Sequence, residues 1–249
     1  EIELSDITLE FFKHDISDKK QVAVMCSSGT DSTILLYLTA LRFPDRKILP
    51  YHIEESQYPK QKPALIKNIN LLNEKLPNSN LLPLLSDYVD YCRIGSEWRL
   101  KAKEEPGDLP PRPNGNEGQA KILANRHYIR QRFNDGSFDY LVSGTTSNPP
   151  KEVLEELGCP YEERRSNRKA PRIFSNHYDP FYHIHKGHIA ELWKKYDIMD
   201  LFDNTITCIE YREEIEKPCK VCYFCSEKKW AFGKYDGCKT KCRLMDKIG

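Results

Sequence analysis

Apolar positions along the chain fall into short runs that alternate with longer amphipathic stretches. Residues 21–25 make a compact apolar run, and the Leu- and Ile-rich segment 32–43 after it has helical spacing. Residues 46–54 (RKILPYHIE) predict a second strand, while Leu65, Ile69, Leu72 and Leu76 mark one face of a helix over 63–76. A third strand is expected at 80–85, a helix at 117–133, a strand at 138–143, a short helix at 151–157 and an amphipathic helix at 188–196. Strands alternating with helices of this length predict an α/β fold with a parallel, doubly wound sheet. Residues 93–118, rich in Pro, Gly and charge, interrupt the pattern and read as a long loop. The chain divides into an α/β domain over 1–200 and a cysteine-bearing C-terminal segment over 201–249 packed on it.

Composition adds bounds. With 249 residues, 39% hydrophobic and 30% charged, the chain is in the class of soluble globular proteins with a sizeable core. No apolar run approaches the roughly 20 residues needed to cross a bilayer. Residues 1–6 lack the basic-then-apolar order of a secretory leader, so a cytoplasmic protein is expected. A net charge of +1 excludes a whole-surface electrostatic grip on nucleic acid and leaves room for a local basic patch. The dense basic run is Arg164, Arg165, Arg168, Lys169 and Arg172, which suits a substrate carboxylate, a polyphosphate or RNA; Glu162 and Glu163 beside it equally suit a solvated loop.

Candidate chemistry begins at residues 22–38 (VAVMCSSGTDSTILLYL), where small polar residues interrupt a good apolar stretch. A strand, a Ser/Gly turn and a helix in that order aim backbone N–H groups and a helix dipole into one concavity, an anion site whose usual occupant is phosphate. Ser27, Ser28, Gly29, Thr30, Asp31 and Ser32 are the expected cradle. Asp31 can cap the helix or lie near a magnesium ion. Neither the Gly-Lys-Ser/Thr of a Walker loop nor a dinucleotide glycine triplet is present. The strand at 138–143 runs into another small polar turn, so Ser143, Gly144 and Thr145 are expected on the same carboxyl edge of the sheet.

The nine cysteines are unevenly spread: Cys26, Cys92 and Cys159 are scattered, and six crowd the C-terminal end. An odd number in a chain of this length favours reduced thiols and metal over disulfides. Cys208, Cys219, Cys222 and Cys225 follow Cys-x10-Cys-x2-Cys-x2-Cys, which suits a closed tetrahedral zinc site of structural type; related spacings also occur in iron–sulfur proteins. Cys238 and Cys242, in a basic tail, are read as free thiols outside the site.

Residues 27–32 resemble the PP-loop of ATP pyrophosphatases, Ser-Gly-Gly-x-Asp-Ser, with Ser27, Gly29, Asp31 and Ser32 in place and Ser28 for the first glycine. With the cysteine quartet, Asp179-Pro180, Lys186, Ile189, Leu192, Thr207-Cys208 and the order-changed Ala124-Asn125-Arg126, the chain is similar to the 7-cyano-7-deazaguanine synthase family over about two thirds of its length. The resemblance implies a Rossmann-like fold of the adenine nucleotide alpha hydrolase kind. It also implies ATP with magnesium, and adenylation of a deazapurine carboxylic acid. Ammonia would then give an amide, and a second activation would remove its oxygen to leave a nitrile. Lys186 would neutralise phosphate charge, with Asp31 and Ser32 as its catalytic companions and Arg126 beside the nucleotide; a homodimer is expected.

Two family segments are rewritten. Tyr51 to Ser56 (YHIEES) stand where the family has Tyr-Gly-Gln-Arg-His, and the substrate segment survives only as Gly158-Cys159-Pro160. Two further readings therefore stay open. One is a diverged enzyme that joins the acid to a protein or nucleic-acid amine; the other is a non-catalytic zinc module that binds RNA. Arg126 and Arg130 share a helix face that also fits plain surface arginines. His183, His185 and His188 lack a neighbouring carboxylate pair and read as packing or exposed residues, and Leu192, Trp193 and Tyr196 as a core face.

Overall fold

The computed structural model describes residues 1–56, 58–89, 116–156, 169–208, 218–220 and 222–236. Its centre is β3 (Gln21–Met25), flanked on one side by β4 (Lys47–Glu55) and on the other by β7 (Tyr140–Val142), both parallel to it. The two strands preceding β3, β1 (Ile2–Glu3) and β2 (Thr8–Leu9), form a separate antiparallel pair. Beyond β4, β5 (Asn80–Leu81) and β6 (Leu85–Val89) run parallel along successive parts of it. Beyond β7 lies β9 (His177–Asp179), parallel, and then β8 (Arg172–Ile173), which is antiparallel and closes the edge.

The alternation of side chains along the strands splits the core into two layers. Val22 and Val24 of β3, Ile48 of β4, and Tyr140 and Val142 of β7 face a large cluster. There they meet α1 (Thr30–Arg42), α2 (Gln61–Lys75) and α5 (Lys186–Lys195). Ala23, Leu49, Tyr51, Ile53 and Leu141 face the opposite way, onto Tyr128, Ile129 and Phe133 of α3 (Asn116–Asn134). Helices on both faces of a mostly parallel sheet make the doubly wound α/β architecture that the alternating pattern predicts. α4 (Lys151–Glu156) follows β7, and α6 (Tyr223–Phe232) ends at Gly233, whose φ of 70° is the left-handed turn that favours glycine. Phe232 of α6 packs against Trp193 at 5.8 Å and Phe202 at 5.1 Å, so the cysteine-bearing segment shares the main core.

The single strand expected at 80–85 is instead the pair β5 and β6. Pro83 lies in the break between them, where a missing N–H cannot extend a ladder. α1 and α5 each begin two residues before the apolar spacing suggests, at Thr30 and Lys186. The loop expected at 93–118 lies outside the described residues up to 115, and α3 already begins at Asn116. Among the described residues, no helix is long and apolar enough to cross a membrane.

Candidate functional site

β3 is where the strand order reverses, because its following helix leads to β4 on one side while β7 lies on the other. Crevices at the carboxyl ends of such strands are the preferred ligand sites of open parallel sheets. A cavity of about 290 Å³ opens there. Ser27, Gly29 and Asp31 line it from the β3–α1 turn, Gly144, Thr145 and Thr146 from the end of β7, and Gln61 from the start of α2. Lys186, Ile206, Thr207, Phe224 and Glu227 complete the wall.

Hydrogen bonds brace the β3–α1 turn. Ser32 Oγ accepts the Ser27 N–H at 3.1 Å and donates to the Gly29 carbonyl at 3.2 Å. Thr33 Oγ1 donates to that same carbonyl at 2.9 Å. Gly29 is the N-cap of α1, and no side chain caps the helix, which leaves the dipole's positive end facing the cavity. Trp193 anchors the turn from below by donating its indole N–H to the Thr30 carbonyl at 3.0 Å. Ser28, where the PP-loop pattern has glycine, sits at φ 61°, in the left-handed region. Its carbonyl accepts the Ile206 N–H at 3.0 Å, a main-chain bond that ties the loop to the segment bordering the cavity.

Lys186 is the first residue of α5 and only 3% exposed. Its ammonium donates to both carboxylate oxygens of Asp31, at 2.7 and 2.6 Å, and lies 3.9 Å from Glu227 Oε2. Two histidines set the helix start. His185 Nδ1 accepts the Gly187 N–H at 3.1 Å, and His188 Nδ1 accepts the His185 N–H at 3.3 Å. The two rings stack with centroids 3.7 Å apart. A Cβ on Gly187 would stand 2.9 Å from the His185 ring, so this close stack requires glycine there. With Asp6, these histidines bring three ligand-type groups together, although the sequence shows no carboxylate pair beside them. Because both Nδ1 atoms accept backbone hydrogens, the neutral rings carry their protons on Nε2, and His188 Nε2 donates to Asp6. That arrangement serves helix capping; a metal would need the Nε2 lone pairs.

Sulfur atoms of Cys208, Cys219, Cys222 and Cys225 lie within 4.8 Å of one another. Around a single ion at about 2.3 Å from each sulfur, tetrahedral geometry separates neighbouring sulfurs by about 3.8 Å, so the four residues fit one closed metal centre. Backbone N–H groups of Cys219 and Cys222 donate to Cys208 Sγ and Cys219 Sγ at 3.2 and 3.3 Å. The Cys208 thiol is pushed up to about 12, first by its hydrogen bond with Cys222, which is the state an incoming cation must displace. The centre adjoins the cavity: Cys208 follows Thr207, and Cys225 lies between Phe224 and Glu227 on α6. Lys228 Nζ donates to Thr205 Oγ1 at 2.6 Å and to Asp236, and Asp236 accepts the N–H groups of Thr207 and Cys208 at 2.8 and 2.9 Å. This buried clamp locks α6 to the 205–208 segment.

Of the residues singled out in the sequence, Ser27, Gly29, Asp31, Gly144 and Lys186 converge on the cavity, and the four cysteines converge beside it. Ser28, Thr30 and Ser32 are buried behind the wall and shape the turn. Arg126 is exposed on α3, as is Arg130, and neither is among the lining residues. Cys26 is fully buried, its thiol pushed up to about 12 by that burial, so it is an inert core thiol. Cys92, Cys159, Cys238, Cys242 and the basic run at 164–168 lie outside the described residues; of that run Lys169 is exposed and Arg172 pairs with Asp179. Gln61, Phe224 and Glu227 are wall residues that the sequence pattern does not single out.

No family model and no curated protein matches the chain. Solved structures do. One is the U34-tRNA thiolase NcsA from Methanococcus maripaludis with its 4Fe-4S cluster, at 15% identity and TM-score 0.41, covering 72% of this chain and 56% of that one. The chain thus spans just over half of that protein's length. Another is NMN synthetase from Francisella tularensis, at 10% identity and TM-score 0.48, covering 92% of this chain and 82% of that one.

Proposed function

We propose that the protein is a PP-loop enzyme that uses ATP to activate a carboxylate for attack by an amine nitrogen. The reading rests on one observation above all: the uncapped start of α1, a buried Lys186 and the Gly144 turn meet in one cavity at the reversal point of a parallel sheet. The α1 amides and the Ser27 hydroxyl would hold the phosphates, and Lys186 would leave Asp31 to balance their charge. Magnesium bound to the nucleotide would draw charge from the phosphate oxygens as pyrophosphate leaves. Fixed donors at that point lower the barrier by position and charge, and the chain needs no nucleophile of its own.

The acid is proposed to be 7-carboxy-7-deazaguanine and the amine ammonia, by resemblance of Lys186, residues 27–32 and the cysteine quartet to the 7-cyano-7-deazaguanine synthase family. Cys208, Cys219, Cys222 and Cys225 are proposed to hold zinc as a structural ion, since four thiolates leave no position open for water. Incubation with ATP, magnesium, ammonium and the acid, followed by mass analysis, should yield the amide and then the nitrile. Acid-dependent pyrophosphate release with neither product would keep the activation step and remove ammonia as the acceptor. No nucleotide-dependent chemistry with any acid would remove the reading.

A further inference from the structure

A second space, a groove of about 410 Å³, adjoins the cavity and is the larger of the two. Ile206 belongs to both walls, and Lys60 of the groove is followed directly by Gln61 of the cavity. At about 290 Å³ the cavity lies at the bottom of the roughly 300–1,000 Å³ of small-molecule sites, so a nucleotide seated there leaves no room for a second substrate. α2 begins between the two spaces with neither a side-chain cap nor an acidic residue in its first turn, which puts the positive end of its dipole at their junction. Two ammoniums, of Lys60 and Lys67, and two carboxylates, of Asp203 and Asp236, line the groove. Asp236 is spent on Lys228 and on the N–H groups of Thr207 and Cys208. Asp203 and Lys67 are exposed and make no hydrogen bond or ion pair among the described residues, not even with each other. Asp203 sits on the short 3-10 helix Met199–Asn204, whose Leu201 and Phe202 are buried in the main core, so its backbone is held in place.

We propose that this groove binds the acid to be activated, and that Asp203 selects an acid whose ring presents two adjacent N–H donors. The inference rests on the acid-activation reading above and deepens it by giving that substrate its own site. With Asp236 neutralised by Lys228, two ammoniums face one available carboxylate, a balance that attracts an anion. A carboxylate accepts two parallel N–H donors through its two oxygens, and an ammonium donates to a carbonyl oxygen beside them. The ring edge of 7-carboxy-7-deazaguanine carries an amino group, a ring N–H and a carbonyl in that order, which Asp203 and Lys67 complement. Adenine has no such pair of neighbouring donors, so the same two residues favour the acid over the nucleoside of ATP. Pro63, Ala64 and Ile206 offer apolar surface to the faces of a flat ring. The carboxyl group, on the ring remote from the amino group, would reach past Ile206 to the start of α2 and the phosphates beyond it.

Calorimetry tests this with 7-carboxy-7-deazaguanine and its analogue lacking the exocyclic amino group, each titrated into the metal-loaded chain with and without a saturating non-hydrolysable MgATP analogue. The unsubstituted chain should bind the amino-bearing acid at least about tenfold more tightly, the worth of one hydrogen bond to a charged group. Asp203→Asn, at an exposed position, should bring the two acids within about threefold by weakening the amino-bearing one, and should leave MgATP affinity within about twofold. Ala64→Leu, which fills the groove whatever its polar contacts, should weaken both acids at least about tenfold and again spare MgATP. A preference that survives Asp203→Asn overturns the inference, and so do acids that bind Ala64→Leu as before. A fall in MgATP affinity in place of the acid's would put the nucleoside in the groove and overturn it as well. A chain that binds MgATP and neither acid contradicts the groove assignment alone. One that binds the amino-bearing acid with this preference and no MgATP supports the groove and contradicts the nucleotide reading.

Discussion

Lys186 Nζ lies 2.7 and 2.6 Å from the two carboxylate oxygens of Asp31, across a separation of 155 residues in sequence. The pair joins the start of α5 to the start of α1 inside the cavity, and it is mostly buried: Lys186 is 4% exposed in its side chain and Asp31 21%. Removing one member of such a pair leaves charge in a place that water does not reach. Lys186→Met therefore deprives Asp31 and Glu227 of their shared cation and should cost about 3–5 kcal/mol in urea unfolding, together with loss of MgATP binding. A cost under about 1 kcal/mol would mean that the ammonium is solvated and outside the site.

Ser28 offers a test of the turn itself. A non-glycine residue at φ 61° carries a backbone cost of about 1–2 kcal/mol, which glycine does not have. Its hydroxyl returns little, since it reaches the Ile206 carbonyl only at 3.5 Å. Ser28→Gly should stabilise the chain by about 0.5–1 kcal/mol after the entropy of the more flexible unfolded chain is counted, and it should leave MgATP affinity within about twofold. Ser28→Val should destabilise by more than Ser28→Gly gains, because a β-branched side chain tolerates that backbone poorly.

His185 gives the fold a pH dependence whose sign follows from burial. Burial pushes its pKa down from 6.5 to about 4. Between those values the unfolded chain binds the proton and the folded chain resists it, so stability is full above pH 6.5 and falls as pH drops toward 4. The proton would enter at Nδ1, where the ring now accepts the Gly187 N–H, or at the expense of the stack on His188. Thermal melts across pH 4–7 should show this slope, and His185→Asn, which keeps a cap acceptor without titrating, should reduce it, leaving the share of His14, His52 and His183, whose pKa values burial also lowers. A slope that the substitution leaves undiminished would assign it to those other histidines.

The metal centre should be separable from the nucleotide by its readout. One equivalent of zinc per chain is expected in elemental analysis, and Cys225→Ser should reduce it. Loss of the ion releases the start of α6, whose Trp230 packs on the His185 ring at 5.4 Å. Trp230 fluorescence should therefore shift on chelation before global unfolding, and MgATP affinity should fall with it, because Phe224 and Glu227 lie on the same helix. Unchanged fluorescence after complete metal removal would mean that the thiols alone hold the helix.

What the sequence discloses here follows from how local each signal is. The strand–turn–helix at 21–42, Gly144 at the end of β7 and the cysteine quartet are written in short contiguous patterns, and the structure assembles them as those patterns predict. Glu227 and Phe224 carry no such signal; they reach the cavity only because α6 starts at Tyr223, just after Cys222, and packs on α5. Asp6 meets His188 across 182 residues, so the carboxylate that partners this histidine comes from the N-terminal hairpin and not from the local pattern. β8 and β9 were invisible to a period-two reading because they hold two and three residues, and the long-range ladder alone defines them. Arg126 illustrates the reverse case, a motif-like residue whose helix presents it to solvent.

The most direct measurement is electron density from crystals grown with magnesium and a non-hydrolysable ATP analogue. The phosphates should lie against the backbone amides of residues 29–32, with the Lys186 ammonium moved from Asp31 onto a phosphate oxygen. Nucleotide seated elsewhere on the chain, or a cavity that stays empty at saturating analogue with the Asp31–Lys186 pair intact, would contradict the account.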